Sequence, residues 1–230
     1  MIASRIKLKT KSKDGGICMA DMQAISEFLQ KGRAKEVKEL VQQALDAGVK
    51  PEEILDQGLL SGMDVVGARF KNNEIFVPEV LIAARAMNAG MEILQPHLAA
   101  GSAKARGTVV IGTVRGDLHD IGKNLVGMMM KGKGLTVIDL GTDVAPERFV
   151  EEAIANDANI IACSALLTTT MKEMGNVVNA VNEANLKDKV KVMIGGAPVT
   201  DSFRETIGAD HYTPDAATAA EVALGICQNI

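Results

Sequence analysis

Residues 108–124 read Thr108-Val109-Val110-Ile111-Gly112-Thr113-Val114-Arg115-Gly116-Asp117-Leu118-His119-Asp120-Ile121-Gly122-Lys123-Asn124. An apolar, β-branched run gives way to a polar loop punctuated by glycine, and then to a helical segment carrying Met128, Met129 and Met130. That order is strand, loop, helix. It recurs downstream: β-rich runs stand at 108–114, 135–140, 158–163 and 190–194, with a weaker fifth at 210–213, and amphipathic segments separate them. The alternation predicts an α/β domain, a five-stranded parallel sheet of flavodoxin-like (Rossmann-type) length covered by helices on both faces. Ligands of such sheets sit at the carboxyl ends of the strands, so the loops that follow the strands are where binding residues belong.

Upstream, the period is helical throughout. Val37, Leu40, Val41, Ala44 and Leu45 form one apolar stripe, closed by Gly48. Pro51, Glu52 and Glu53 open the next helix, where Leu55, Leu59, Met63, Val66 and Phe70 step by four, four, three and four. Asn72 and Asn73 break that run, and Pro78 starts a fourth helix, with Val80, Ala84, Met87, Met91 and Leu94 on its stripe up to Pro96. Short connections between such helices predict an antiparallel four-helix bundle over 19–98. The small and polar residues 99–106 read as a linker to a second domain at 107–230.

Composition narrows the function classes. The chain of 230 residues is 47% hydrophobic and 23% charged, so a buried core is expected and global disorder is not. Five Phe, one Tyr and no Trp give no base-stacking platform, and a net charge of -4 argues against binding a phosphate backbone. Twelve Met point to an aliphatic, Met-filled core. Cys18, Cys163 and Cys227 are too scattered for a disulfide framework or a zinc knuckle, which fits a reducing cytoplasm. No run is long and apolar enough to span a membrane. Residues 1–18 carry +4 against -8 for the remainder, without the apolar centre of a secretory signal. They read as a disordered, added or upstream extension, with Met19 a candidate natural start.

The loop after the first strand is neither a dinucleotide fingerprint nor a phosphate-binding loop, because its glycines lack the spacing. It offers an imidazole, His119, with the Asp117 carboxylate two residues before it. Asp117 can accept a hydrogen bond from one ring nitrogen, fix the tautomer and leave the other nitrogen for a metal. Taken alone, a structural loop pair is the simpler reading. The third strand ends in Ser164-Ala165-Leu166-Leu167-Thr168-Thr169-Thr170, where three threonines either contact a ligand or cap a helix. After the fourth strand, Gly195-Gly196 either turns the chain or bares backbone for a bulky ligand.

Together these loops resemble a known family. Asp117-x-His119-x-x-Gly122, then 41 residues, Ser164-x-Leu166, then 28 residues, Gly195-Gly196 is similar to the cobalamin-binding domain. Phe70-Lys71-Asn72-Asn73-Glu74-Ile75-Phe76-Val77-Pro78-Glu79-Val80 resembles the cap segment of the helical module that precedes that domain in methionine synthase. The same two modules form the stand-alone corrinoid proteins of methyltransferase systems, and the resemblance covers residues 20 to 229.

The resemblance implies a corrinoid cofactor whose lower base leaves cobalt and inserts, with its tail, into the flavodoxin-like domain. His119 becomes the lower cobalt ligand, with Asp117 behind it and Thr170 at the position of the serine that completes the triad in methionine synthase. Gly116, Leu118, Asp120, Ile121 and Gly122 belong to the ligand loop. Ser164, Leu166, Thr168, Gly195 and Gly196 are expected to line the tail pocket, and Tyr212, Asp215 and Ala216 to close its far end. Phe70, Val77 and Val80 are expected over the upper, methyl-bearing face, although all three also fit ordinary core packing; half of the six aromatic residues (Phe70, Phe76, Tyr212) would then lie near a corrin.

The implied activity is methyl carriage. Cobalt(I), as in cob(I)alamin, takes a methyl group from a substrate-specific methyltransferase. Methylcobalamin, as cobalt(III), gives it to a second methyltransferase that is pterin- or thiol-dependent, and a reductive activase restores lapsed cobalt. Other classes are a cobalamin-dependent regulator or light sensor, or the small subunit of an adenosylcobalamin mutase. The sequence lacks the basic recognition helix and the cap Trp of the former, and the latter lacks a helical cap.

Overall fold

The apolar stripes of the first helices meet in one interior. The structure, a computed structural model, describes residues 19–100 and 106–229. The expectations for residues 1–18 and most of the 99–106 linker, and Cys18, lie outside them. The bundle is built from α1 (Met19–Gln30), α2 (Ala34–Asp46), a helix running through α3 (Pro51–Glu53), a π-helical segment (Ile54–Leu60) and α4 (Ser61–Lys71), and α5 (Val77–Ala100). Ile25, Leu29, Val37, Val41, Leu59, Met63, Val66 and Val80 are buried together. Pro51 occupies the first helical turn after an extended Lys50, as its fixed φ favours.

Two details differ from the sequence reading. The helix over 51–71 is not α-helical throughout: i→i+5 bonding in Ile54–Leu60 widens its turns, which matches the successive steps of four from Leu55 to Met63. The last bundle helix does not stop at Pro96 but passes through it to Ala100, two residues into the expected linker. Pro96 removes one amide donor near the helix end, and its ring faces solvent.

The second half holds β1 (Thr108–Thr113), α6 (Ile121–Gly132), β2 (Thr136–Asp139), α7 (Pro146–Ala155), β3 (Ile160–Ser164), α8 (Lys172–Glu183), β4 (Lys191–Gly195), α9 (Asp201–Ile207), β5 (His211–Tyr212) and α10 (Ala216–Gln228). The strands form one sheet in the order β2-β1-β3-β4-β5, and every pairing is parallel. Side-chain alternation splits the interior. Val109, Ile111, Ile160, Ala162 and Met193 join the core shared with α6, α10 and the bundle. Val110, Ile161, Cys163, Val192 and Ile194 pack against α7 and α8.

Two features of this frame position the site. Thr113 pairs with Ser164, and Ser164 with Gly195, so three strands end level at the carboxyl edge. The chain also winds away from β1 in opposite directions, and the loops after β1 and β3 flank that reversal. The bundle rests on α6 and α10 through α4 and α5. Among the described residues three ion pairs join the bundle to the chain that follows it: Lys71–Glu221 at 2.8 Å, Asp64–Lys133 at 2.7 Å and, just before β1, Asp56–Arg106 at 2.7 Å.

Candidate functional site

At this edge the β1 loop buries a carboxylate. Asp117 is fully buried and its oxygens accept five hydrogen bonds. Oδ1 takes His119 Nδ1 at 2.7 Å and the His119 amide at 3.1 Å. Oδ2 takes the amides of Leu166 at 2.8 Å and Leu167 at 3.1 Å, and Thr170 Oγ1 at 2.8 Å. Burial opposes the charge, but the bonds from His119, Leu166 and Thr170 outweigh it and hold the carboxyl well below the usual carboxylate range. Asp117 is therefore an acceptor only.

That assigns the imidazole. With an ionised acceptor at Nδ1, the proton sits on Nδ1, and the lone pair of the neutral ring is on Nε2. Among the described residues Nε2 makes no hydrogen bond, and the side chain is 51% exposed. The His119 carbonyl is held too, by the hydroxyl of the buried Thr113 at 2.8 Å. His119 is thus fixed through its ring, its amide and its carbonyl.

Around the imidazole lies an apolar surface. Leu118 is 73% exposed and Ile121 77%, with Leu166 and Leu167 also exposed. Large aliphatic side chains gathered in water around one ring are a binding surface. Phe76, in the segment between α4 and α5, is 65% exposed.

A cavity of about 350 Å³ opens at the same edge. Gly122, Ser164, Gly195, Gly196, Asp215 and Ala216 line it, together with Phe70 from the bundle. Gly196 has φ +140°, and a Cβ there would lie 1.9 Å from the Ala165 carbonyl oxygen, so no other residue fits without moving backbone. Asp215 starts α10, where its carboxylate accepts the Thr218 amide at 2.8 Å.

The remaining expected residues fall elsewhere. Gly116 (φ +80°) and Asp120 flank the Asp117–His119 pair, the latter bonded to Asn124 at 3.0 Å. Leu166 and Thr168 lie exposed on the β3 loop and are not part of the cavity wall. Tyr212 packs against the core on the α7–α8 side, because the two-residue β5 turns its ring there. Val80 is fully buried in the bundle and Val77 packs on that core; of the three cap residues, Phe70 reaches the cavity. His97 is exposed. His211 is half-buried, away from the cavity, with its pKa lowered by burial. Cys163 is buried in the cavity wall, and burial pushes its thiol up.

Sequence reasoning missed Thr113, Asp143, Asp139 and Lys123. Lys123 stands on the first turn of α6, its side chain 2% exposed, and lines the cavity. Its ammonium donates to both oxygens of Asp139 at 2.5 Å and to Asn124 Oδ1 at 2.7 Å. A lysine four residues past a histidine reads as solvated charge, and only the strand order brings β2 beside it.

The donor set limits what metal chemistry is available. Among the described residues no three His, Cys, Asp or Glu side chains converge on one point. A lone imidazole suits a metal that brings its own equatorial ligands, as a macrocycle does. Among the described residues, also, no helix is long and apolar enough to cross a membrane.

Comparison with known proteins agrees with this geometry. Residues 107–224 match a family model described as a B12 binding domain, and residues 22–95 match a second model of the same description. A trimethylamine corrinoid protein of Methanosarcina acetivorans is 42% identical over 92% of this chain and 93% of its own length. A dimethylamine corrinoid protein of the same organism is 41% identical over 89% of this chain and 98% of its own. Among solved structures, the methanol:cobalamin methyltransferase complex MtaBC of Methanosarcina barkeri aligns with a TM-score of 0.83 and 31% identity, covering 95% of this chain and 82% of the other. A cobalamin-binding protein of Desulfitobacterium hafniense aligns with a TM-score of 0.74 and 29% identity, covering 90% and 98%.

Proposed function

The chain belongs to the B12-binding corrinoid proteins, and from that membership we propose that it is the methyl-carrying subunit of a multi-component methyltransferase. Its cofactor is a corrinoid. One observation carries the reading: a tautomer-fixed imidazole with Nε2 unengaged stands among exposed aliphatic side chains, beside a cavity walled in part by bare backbone. When bound, the corrinoid supplies the cobalt nucleophile that takes up and gives away a methyl group.

The chain's own residues hold and tune that group. His119 would hold the cobalt through Nε2, and the Nδ1–H to Asp117 keeps the ring in the tautomer that leaves Nε2 unprotonated. The Asp117 carboxylate would thereby keep Nε2 as the ring nitrogen available to the metal. Thr170 and the amides of Leu166 and Leu167 keep that carboxylate ionised and in place. Gly122, Ser164, Gly195, Gly196, Asp215 and Ala216 receive the cofactor tail. The cap segment, with Phe70 and Phe76, would exclude water from the bound group and give way to a partner.

The reading includes two enzyme partners, a substrate-specific methyltransferase that loads the carrier and a second, pterin- or thiol-dependent one that unloads it, with a reductive activase. Similarity to trimethylamine and dimethylamine corrinoid proteins favours a methylated amine as the methyl source. The test is single-turnover transfer: the protein loaded with cobalamin and reduced is mixed with a methylamine methyltransferase and trimethylamine or dimethylamine. Loss of the cobalt(I) absorption that requires both enzyme and amine supports the reading. No loss with these amines, nor with methanol and a methanol methyltransferase, contradicts methyl carriage from such donors.

A further inference from the structure

We propose that Asp143, in the loop between β2 and α7, is the positioning residue that sets where the imidazole ligand stands. The proposal rests on the reading of His119 as the cobalt ligand. Among the described residues Asp143 makes no hydrogen bond to His119 and does not line the cavity. It acts on the backbone that carries the ligand pair: its amide donates to the Asp117 carbonyl at 3.0 Å, and its Oδ1 accepts the Gly116 amide at 2.7 Å. One residue therefore clasps two consecutive residues of the ligand loop through a reciprocal pair of bonds.

The clasp is rigid because its own loop is tied on both sides. Thr113 N donates to Gly141 O at 2.9 Å and Val144 N to Thr113 O at 3.0 Å, extending the β1 pairing past the strand ends. Gly141 N donates to Asp139 Oδ1 at 2.9 Å, and Asp139 is the partner of the buried Lys123. The β2 exit is thereby fastened to β1 and to α6, the two elements between which the ligand loop runs.

Asp143 meets a local cost to do this. Its φ is +56°, a left-handed conformation that a side chain disfavours and that Asp tolerates better than most residues. The side chain is exposed, so core packing does not require an acid there. Glycine would satisfy the backbone, and what glycine lacks is the acceptor for Gly116. The geometry thus separates the two contributions of Asp143, its conformation and its Oδ1 bond. Asn keeps both, Gly keeps the first, and Ala keeps neither.

The experiment loads wild type, Asp143→Asn, Asp143→Gly and Asp143→Ala with hydroxocobalamin and measures the cobalt(II)/cobalt(I) midpoint potential spectroelectrochemically, with the melting temperature of each apo-protein. Imidazole coordination stabilises the oxidised side of that couple, so weaker coordination raises the potential. Loss of one bond to a charged acceptor weakens coordination about tenfold, which raises the midpoint by about 59 mV. The expected result is a wild-type potential for Asn, a rise for Gly at near wild-type melting temperature, and a rise at least as large for Ala. A wild-type potential in the Gly variant overturns the proposal. So does a shift in Asn equal to that in Gly, or a shift that appears only with loss of the fold. Failure of the ligand reading is distinguishable, because wild type would then show no imidazole coordination before any variant is made, and the proposal would fall with it.

Discussion

Thr170 Oγ1 stands 2.8 Å from Asp117 Oδ2 inside the protein, and this hydroxyl proton reaches an acceptor that is itself bonded to His119. Thr170 is buried, so removing its hydroxyl leaves the carboxylate one donor short without water to replace it. Thr170→Val keeps the shape and is expected to destabilise the protein by about 1–3 kcal/mol, measured by urea unfolding. Thr170→Ser restores the donor and should recover most of that loss. Equal stability of the Val variant would remove Thr170 from the triad.

The Lys123–Asp139 pair gives a pH signature. Burial works against the Asp139 charge, but the bond from Lys123 and the Gly141 amide hold its carboxyl below its ordinary value. A carboxyl with a depressed folded pKa adds stability above the unfolded value of about 3.9, and that contribution is lost as pH falls through the lower folded value. Asp139→Asn mimics the protonated state but strands a buried ammonium. Asp139 is itself partly exposed, so solvent screening limits the expected loss to about 1–2 kcal/mol at pH 7. The gap in melting temperature between wild type and Asn should be constant above about pH 5 and close as pH drops below about 4. A gap that widens on acidification contradicts the pairing.

Gly196→Ala tests the bare-backbone wall. The new methyl would meet the Ala165 carbonyl at 1.9 Å in a conformation that disfavours side chains. The β3 and β4 loops would have to separate, and corrinoid capture should fall at least tenfold, on the order of 1.4 kcal/mol or more. Equilibrium dialysis with hydroxocobalamin reads this directly, and unchanged affinity would move the tail elsewhere.

Three ion pairs hold the cap against the α/β half: Lys71–Glu221, Asp64–Lys133 and Asp56–Arg106. Each is partly exposed and weak alone, but all three break together when the cap moves. Raising salt from about 50 to 500 mM should loosen the cap. Photolysis of the loaded methylcobalamin should then quicken by about twofold to fivefold, and Phe70→Ala should quicken it at either salt. A salt-independent rate would show that the cap is held by apolar contact alone.

The parallel sheet was legible because β-rich runs and helical stripes alternate, and periodicity depends on short-range sequence alone. The Asp117–His119 hydrogen bond was legible because the two are two residues apart. What lay hidden was set by contacts between distant segments. Asp143 meets Gly116 across 27 residues and Lys123 meets Asp139 across 16, and no local pattern records which loops a strand order will bring together. Tyr212 was misdirected for the same reason, and for Val80 the core alternative is the one observed: a two-residue strand and a helix stripe give position along the chain, but neighbours decide which core the side chain enters. Pro96 was read as a stop because proline lacks an amide, yet an exposed terminal turn tolerates that loss.

The central claim is that His119 binds the cobalt of a corrinoid through Nε2. The most direct measurement is the absorption spectrum, with electron paramagnetic resonance of the cobalt(II) state, of the protein loaded with hydroxocobalamin, wild type beside His119→Ala. The account predicts a wild type that has lost its benzimidazole ligand and carries one imidazole nitrogen on cobalt, and a variant that still binds corrinoid but lacks that nitrogen. A His119→Ala protein with the wild-type spectrum, or a wild type that binds no corrinoid, would contradict it.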